Sequence, residues 1–237
     1  MKKLILAIFL KLSILSAQNY PFKSGELLVY EVNLNIISVG RASLEIKDGF
    51  ESNGFNSYHI IFNMATNKIW DTIFPIRDTV ESWIDKQHLF TQKLRKTIRE
   101  RQYSQDLLAN FDYSSEIIIT NKNSVPIRKG TRDPYSLFYY IRTLPLRIGE
   151  LFEFTIFDNY KLNSFNMIVH RKEDINVIAG KFNCFVVEPF KEGRKLFKNK
   201  GDMKVWISDD KNRLPVMIVS KASFGSLVLK LVEYSIN

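Results

Sequence analysis

The chain is poor in the residues on which the common catalytic and cofactor motifs depend. Its 237 residues include one cysteine, three histidines, ten glycines and seven prolines. A lone Cys184 allows no intramolecular disulfide. His59, His88 and His170 are far apart and not at metal-ligand spacing. The glycines form no phosphate-binding loop, dinucleotide fingerprint or nucleophile elbow. We therefore predict no metal site, no cofactor, no catalytic residues and a protein that is not an enzyme.

Long hydrophobic runs are also absent after the first 17 residues. The chain starts with Lys2 and Lys3, continues with an apolar stretch and reaches small residues at Ser16-Ala17, which is typical of a secretory signal peptide. We predict a signal peptide over residues 1–17, with an uncleaved anchor as the alternative because Lys11 interrupts the apolar stretch. No later run approaches the roughly 18 apolar residues of a membrane-spanning helix. We predict one exported domain over residues 18–237, with no transmembrane span in the mature chain.

Charge of one sign is nowhere concentrated in a block. Lys and Arg number 34 against 25 Asp and Glu, a formal net charge of +9, and the basic residues are scattered. This distribution does not fit a nucleic-acid arm, so we predict no nucleic-acid partner. It fits a solvated surface, or else attraction to anionic lipid head groups. Lys93, Arg95, Arg99 and Arg101 share one face of a predicted strand, which we interpret as an edge strand or a highly exposed one.

What the sequence does contain is period-two alternation between apolar and polar residues. Leu28, Tyr30, Val32, Leu34 and Ile36 fall on one face of the first predicted strand. Similar runs follow, separated by turn signals at the spacing expected of barrels and sandwiches. The pattern predicts an all-β protein with minor helix. We expect a single curved antiparallel sheet, or an open or half β-barrel, with one or two short helices; the alternative is a two-sheet β-sandwich.

Two segments depart from the strand pattern. Asn67–Phe74 carries apolar residues at helical spacing and ends before Pro75. We interpret it as a short helix or irregular turn, acting either as a lid over a cavity or as a plug on the β core. Asp133–Arg142 is the strongest helix candidate, because Asp133 can cap it and Pro134 suits the first helical position.

The Gly201–Leu231 segment reads as strand, polar turn, strand, glycine turn and strand. Its Asp209-Asp210 pair suggests a fragment of a calcium loop. A full EF-hand loop requires Gly at its sixth position and Glu at its twelfth, where this chain has Leu214 and Ser220. We therefore interpret the pair as a structural turn.

Several of these motifs together resemble a known family. They are Phe22–Tyr30, Gly40–Leu44, Asp133–Arg142, Gly180–Cys184 and above all Gly201–Gly225. The chain resembles the exported bacterial family called domain of unknown function 3108. The resemblance implies a β protein of the bacterial envelope and supplies no catalytic residue. It also implies a curved sheet similar in outline to envelope lipoprotein carriers, which hold acyl chains in an open β-barrel.

These observations lead to a prediction of non-catalytic binding. We expect an exported protein of the periplasm or the outer-membrane periphery that binds an apolar ligand, a lipid or acyl chain, in a β half-barrel. A lipoprotein is a further candidate partner. The candidate ligand-binding residues are the aromatic side chains of the two helical segments, Trp70, Phe74, Phe138 and Tyr139. The alternative is an assembly or structural protein of the envelope that acts through a partner surface, first of all the basic 93–101 segment; a hydrolase is least favoured.

Overall fold

A computed structural model of the chain describes residues 19–50, 56–190, 203–222 and 225–236. These residues form fourteen strands and two helices. The elements are β1 (Leu27–Leu34), β2 (Ile37–Phe50), β3 (Asn56–Thr66), α1 (Lys68–Asp71), β4 (Arg77–Asp85), β5 (Thr91–Glu100), β6 (Tyr103–Asp112), β7 (Ile117–Thr120), β8 (Ser124–Pro126), α2 (Pro134–Arg142), β9 (Leu151–Asp158), β10 (Lys161–Val177), β11 (Gly180–Phe190), β12 (Met203–Ser208), β13 (Pro215–Ala222) and β14 (Gly225–Ser235).

All fourteen strands belong to one antiparallel sheet. Consecutive strands are neighbours from β1 to β8 and again from β9 to β14, and β1 pairs with β14 in the middle of the sheet. Leu27 lies opposite Ser235 in that pairing. The two edges of the sheet are β8 and β9, which flank α2 in the sequence. The prediction of a single curved antiparallel sheet with two short helices is confirmed, and the two-sheet sandwich is not formed.

The alternation in β1 positions its side chains largely as predicted. Leu28, Tyr30 and Val32 are buried. Ile36 was expected on the same face, but it is 94% exposed. Asn35 adopts a left-handed conformation (φ 55°) and reverses the chain there, so Ile36 lies in the turn beyond the strand. Gly40 is required in β2, because a Cβ atom there would lie 2.2 Å from the carbonyl oxygen of Ala65.

The antiparallel order defines two ends of the sheet. The odd-numbered strands up to β9 all finish at one end, which we call the mouth end; it comprises residues 35–36, 67–76, 101–102, 121–123 and 159–160. The opposite end, which we call the base end, holds Glu26 before β1, the 86–90 turn, the 178–179 turn and the 209–214 turn. The cavity and the surface features of the protein are located relative to these two ends.

The sheet curls so that its edge strand β9 packs against the inner face of strands β5–β7. β9 has buried side chains on both faces. Phe154 packs towards α2, whereas Phe157 packs edge-on against Phe111 of β6 with ring centroids 5.5 Å apart. The backbone N–H of Phe157 also donates to the carbonyl of Arg132, at 2.8 Å, and the 127–133 segment thereby joins the two edges. The result is a barrel-like sheet that remains open between β8 and β9.

Helix α2 occupies the concave side of this rolled sheet. Asp133 caps it and Pro134 follows in the first turn, as predicted. Tyr139 is fully buried in the apolar cluster that contains Phe22 and Tyr30, whereas Leu137 and Ile141 pack into the cluster formed by β9–β12. A helix with buried residues on both sides must lie between two walls of the sheet. The interior is therefore partly filled by the helix.

The structure also defines three individual elements more closely. Strand β10 runs unbroken from Lys161 to Val177, because a β-bulge after Val169 absorbs an irregularity in its pairing with β11. Of the two interpretations of the basic strand β5, the edge strand is wrong, because β5 lies between β4 and β6, whereas the side chains of Arg95 and Arg99 are exposed. The 67–74 segment forms a short helix, as one of its two interpretations predicted, and this helix is the single turn Lys68–Asp71.

Candidate functional site

The main apolar cavity lies between α2 and strands β9–β12. Its volume is about 440 Å³, within the range of about 300–1,000 Å³ of small-molecule sites. Most of its wall is apolar and comes from the helix and from the facing sides of the four strands. The apolar lining residues are Pro134, Tyr135, Leu137, Phe138, Ile141, Ile156, Phe165, Met167, Val187, Pro189, Met203 and Val205.

The cavity wall becomes polar towards the mouth end. Alternate residues of a strand point to the same side of the sheet. Along that side of β10 the order from the base towards the mouth is Met167, Phe165, Asn163 and Lys161, all of which line the cavity. On β9, Ile156 is likewise followed by Asp158. The site is therefore amphipathic along its length, apolar inside and polar at its opening.

We call the contact of β9 and the β9–β10 turn with β5 and β6 the seam. An ion pair across the seam lies at this opening. Lys96 of β5 contacts Asp158 at the end of β9, with Nζ 2.8 Å from Oδ1. The Lys96 side chain is only 11% exposed. Tyr160 adds a second tie across the seam, because its hydroxyl donates to the carbonyl of Asp106 at 3.0 Å. Because these contacts hold the β9–β10 turn against β5 and β6, they fix one side of the opening.

The start of α2 is fixed by a buried hydrogen-bond network. One carboxylate oxygen of Asp133 accepts from the Ser82 hydroxyl at 2.5 Å and from the Thr91 hydroxyl at 2.7 Å. The other accepts from the backbone N–H of Tyr135 at 2.8 Å and of Ser136 at 3.2 Å. The Asp133 carboxylate thus accepts four hydrogen bonds, all from groups within the protein. This network sets the position of the helix relative to β4 and β5, and so the width of the cavity.

The end of α2 is fixed by a buried ion pair at the base end. The Arg142 guanidinium donates to both carboxylate oxygens of Glu26, at 2.6 and 2.7 Å, and to the carbonyl of Asn212 at 2.9 Å. Phe22 and Tyr139 place their rings about the same guanidinium. Burial alone would lower the pKa of Arg142, but the hydrogen bonds and charge of Glu26 raise it above its ordinary value.

The four predicted ligand-binding residues separate in the structure. Phe138 lines the cavity. Tyr139 is the next residue on α2 but points into the base-end core. Trp70 lies at the mouth end, partly buried against the large apolar cluster that also contains Tyr139, and Phe74 is exposed at the same end. The lid or plug role considered for the 67–74 segment does not involve this cavity, because no residue of α1 is among its lining residues.

The sequence reasoning missed the strand residues that form most of the site. The signal was available in β10, where Lys161, Asn163, Phe165 and Met167 alternate on one side and change from polar to apolar along the strand. Lys96 could not be placed, because its contact with Asp158 joins residues from strands that share no hydrogen-bonded pairing.

Two of the histidines and the single cysteine lie away from this cavity. His59 stacks on Trp83 and lies 3.2 Å from Glu81, and burial lowers its pKa. His170 lies 3.1 Å from Glu188. Cys184 is buried, and burial raises the pKa of its thiol to about 12, which makes it a poor nucleophile at neutral pH. Each of these groups therefore has a packing or pairing role that accounts for it.

The Asp209-Asp210 motif is also accounted for by local contacts. Asp210 accepts hydrogen bonds from the backbone N–H groups of Asn212 and Arg213, as expected of a structural turn. Within the described ranges no group of three or more His, Cys, Asp or Glu residues could hold a metal ion. No helix in the described part of the chain is long and apolar enough to cross a bilayer.

Comparison with known proteins assigns the family and the fold. No curated protein matches the sequence. A β-barrel-like protein of domain of unknown function DUF1849 from Brucella abortus superposes with a TM-score of 0.63 at 12% identity, over 90% of this chain and 97% of that one. The hypothetical protein CT021 from Chlamydia trachomatis covers 90% of this chain and 88% of its own at 7% identity, with a TM-score of only 0.41. The model of the family "Protein of unknown function (DUF3108)" matches residues 29–232, so the chain belongs to that family.

Proposed function

We propose that this protein binds an amphipathic lipid or acyl chain, without catalysis, in the cavity between α2 and β9–β12. The observation that carries the proposal is the change of polarity along the cavity wall. The inner wall is built from Phe165, Met167 and Leu137, and the opening from Lys161 and Asn163. An acyl chain would gain about 0.8 kcal/mol per buried methylene on the apolar wall. Its polar head would remain at the mouth, near water and the lysine.

The rigid setting of α2 supports this proposal. Asp133 fixes the start of the helix and Arg142 fixes its end, so the cavity wall is held before any ligand arrives. Preorganisation of this kind lowers the ordering cost of binding. The predicted signal peptide adds the context: we place the protein in the periplasm or at the outer-membrane periphery, where lipids are available.

The alternative of a partner surface on the basic 93–101 segment receives less support. Arg95 lies 3.2 Å from Glu81, and Arg99 is paired with Asp106 at 2.8 Å. Lys93 and Arg95 also place their charges over the ring of Trp83. Most of the cations of this segment are therefore neutralised within the protein and offer little free charge to a partner.

Binding of a fluorescent fatty acid with a conjugated chain tests the proposal directly. We expect saturable binding to the wild-type protein and a loss of roughly tenfold or more in affinity for Ile156→Trp, because the indole occupies the cavity. Leu151→Trp is the matched control: it lies on the same strand but is exposed and outside the cavity. Lipid extraction and native mass spectrometry of protein purified from membranes provide a second readout. Absence of both fatty-acid binding and copurified lipid would overturn the proposal.

A further inference from the structure

Exposed apolar side chains cluster at the mouth end. Ile36 and Ile37 in the β1–β2 turn are 94% and 55% exposed, and Ile69 and Ile73 are 73% and 53% exposed. Phe74 is exposed beside them. Exposed apolar patches of this kind mark interaction sites in soluble proteins. We call these five residues the apolar rim.

Hydrogen bonds and an ion pair fix the segments that carry the apolar rim. The side chain of Asn67 donates to the carbonyl of Ser38, and its backbone N–H donates to that of Val39, so α1 is fixed against the start of β2. Asp71 is paired with the guanidinium of Arg77, whose hydrogen bonds lower the pKa of Asp71. Arg101 donates its backbone N–H to Pro75 at 3.1 Å. The rim residues are therefore exposed on a fixed scaffold.

Positive charge without an acidic partner also lies at the mouth end. Four exposed basic residues lie there, Lys68 at the start of α1 and Arg101, Lys122 and Lys161 in turns or at a strand end. None of the four has an acidic partner within the described residues; of the mouth-end acids, Asp71 and Asp158 are paired with basic side chains, and Asp78 and Glu100 are half-buried and hydrogen-bonded to each other. Apolar side chains among free cations are the combination that binds an interface of anionic lipid.

From this arrangement we infer that the mouth end docks on the surface of an anionic lipid bilayer, with the apolar rim inserted between head groups. The free cations contact lipid phosphates, and the opening of the cavity faces the same surface. The inference rests on the rim and its charges and does not require that the cavity hold a ligand. It supplies a route by which an apolar molecule could leave a membrane without crossing water.

Vesicle sedimentation tests this docking. We expect the wild-type chain to bind vesicles containing about a third phosphatidylglycerol better than vesicles of phosphatidylcholine alone, and to lose binding as salt rises. The variant Ile69→Asn/Ile73→Asn should bind roughly tenfold more weakly, because two exposed side chains no longer insert. Lys68→Glu/Arg101→Glu should remove the preference for the anionic vesicles. Every variant carries the same residues 1–18, so differences between variants report the rim.

The matched control lies at the base end. Ile148→Asn/Ile178→Asn replaces two residues that are 61% and 75% exposed, and it should leave vesicle binding unchanged. Trp70 on α1 provides an independent readout, because brominated lipids should quench wild-type fluorescence more than that of Trp70→Phe. Equal loss in the rim and base-end variants, or no preference for anionic vesicles, overturns the inference. Ile156→Trp should still bind vesicles, which separates failure of docking from failure of the cavity proposal.

Discussion

The C-terminal end of helix α2 and its middle lie in very different surroundings. At the base end, Arg142 is enclosed by Glu26, Phe22 and the 209–214 turn, and its charge is matched by a bidentate carboxylate. Along the middle of the helix, Leu137 and Phe138 instead face a cavity of about 440 Å³. The contrast indicates that the interior has a tightly packed half and a half that contains open space. A sealed core anchors the helix, so the other half can retain open space.

Removing one partner of the buried ion pair should have the largest effect on this division. Arg142→Met leaves the Glu26 carboxylate buried without its counter-charge, and we expect a loss of about 3–5 kcal/mol in the free energy of unfolding, measured in urea. The double variant Glu26→Leu/Arg142→Met should recover much of that loss, because no unpaired charge remains. Equal stability of the single and double variants would contradict the assignment of the base end as a charge-locked core.

Enlarging a side chain should destabilise the two halves of the interior by different amounts. Both effects should be smaller than that of breaking the ion pair. Ile46→Phe inserts bulk into the fully buried base-end core, and we expect it to cost about 1–3 kcal/mol of unfolding free energy. Ile156→Phe points into the cavity and should cost less than about 1 kcal/mol, because the space exists. Thermal unfolding of the two variants side by side measures the difference. Similar costs would mean that the halves are packed alike.

The smallest expected effect concerns Tyr139. Its hydroxyl is buried and has no hydrogen-bond partner among the described residues, and burial holds its pKa well above the ordinary value. Tyr139→Phe removes a polar group that is unsatisfied in the base-end core. We expect the unfolding free energy to rise by about 1 kcal/mol. A decrease on chemical denaturation would show that the hydroxyl has a partner that matters.

Patterns among residues close in the sequence predicted the fold better than they predicted the site. Alternation identified β1 and β2, and Asp133 with Pro134 correctly marked the start of α2. These signals act between residues that are close in sequence. The cavity depends on how far the sheet rolls, which no local pattern specifies. Sequence reasoning therefore named Phe138 and Tyr139 together, although adjacent residues on a helix point in directions about 100° apart.

The pairing of β1 with β14 has a consequence for the order of assembly. Every other pairing in the sheet joins strands that follow each other in the chain, and each can form as soon as its hairpin exists. Tyr30 meets Leu231 only when nearly the entire chain is available. Closing so long a loop carries the greatest entropic cost in the sheet, and contacts of such separation slow folding. The strand series β1–β8, before α2, and β9–β14, after it, can therefore each fold separately. The pairing of β1 with β14 in the middle of the sheet is then the step that commits the chain to its native topology.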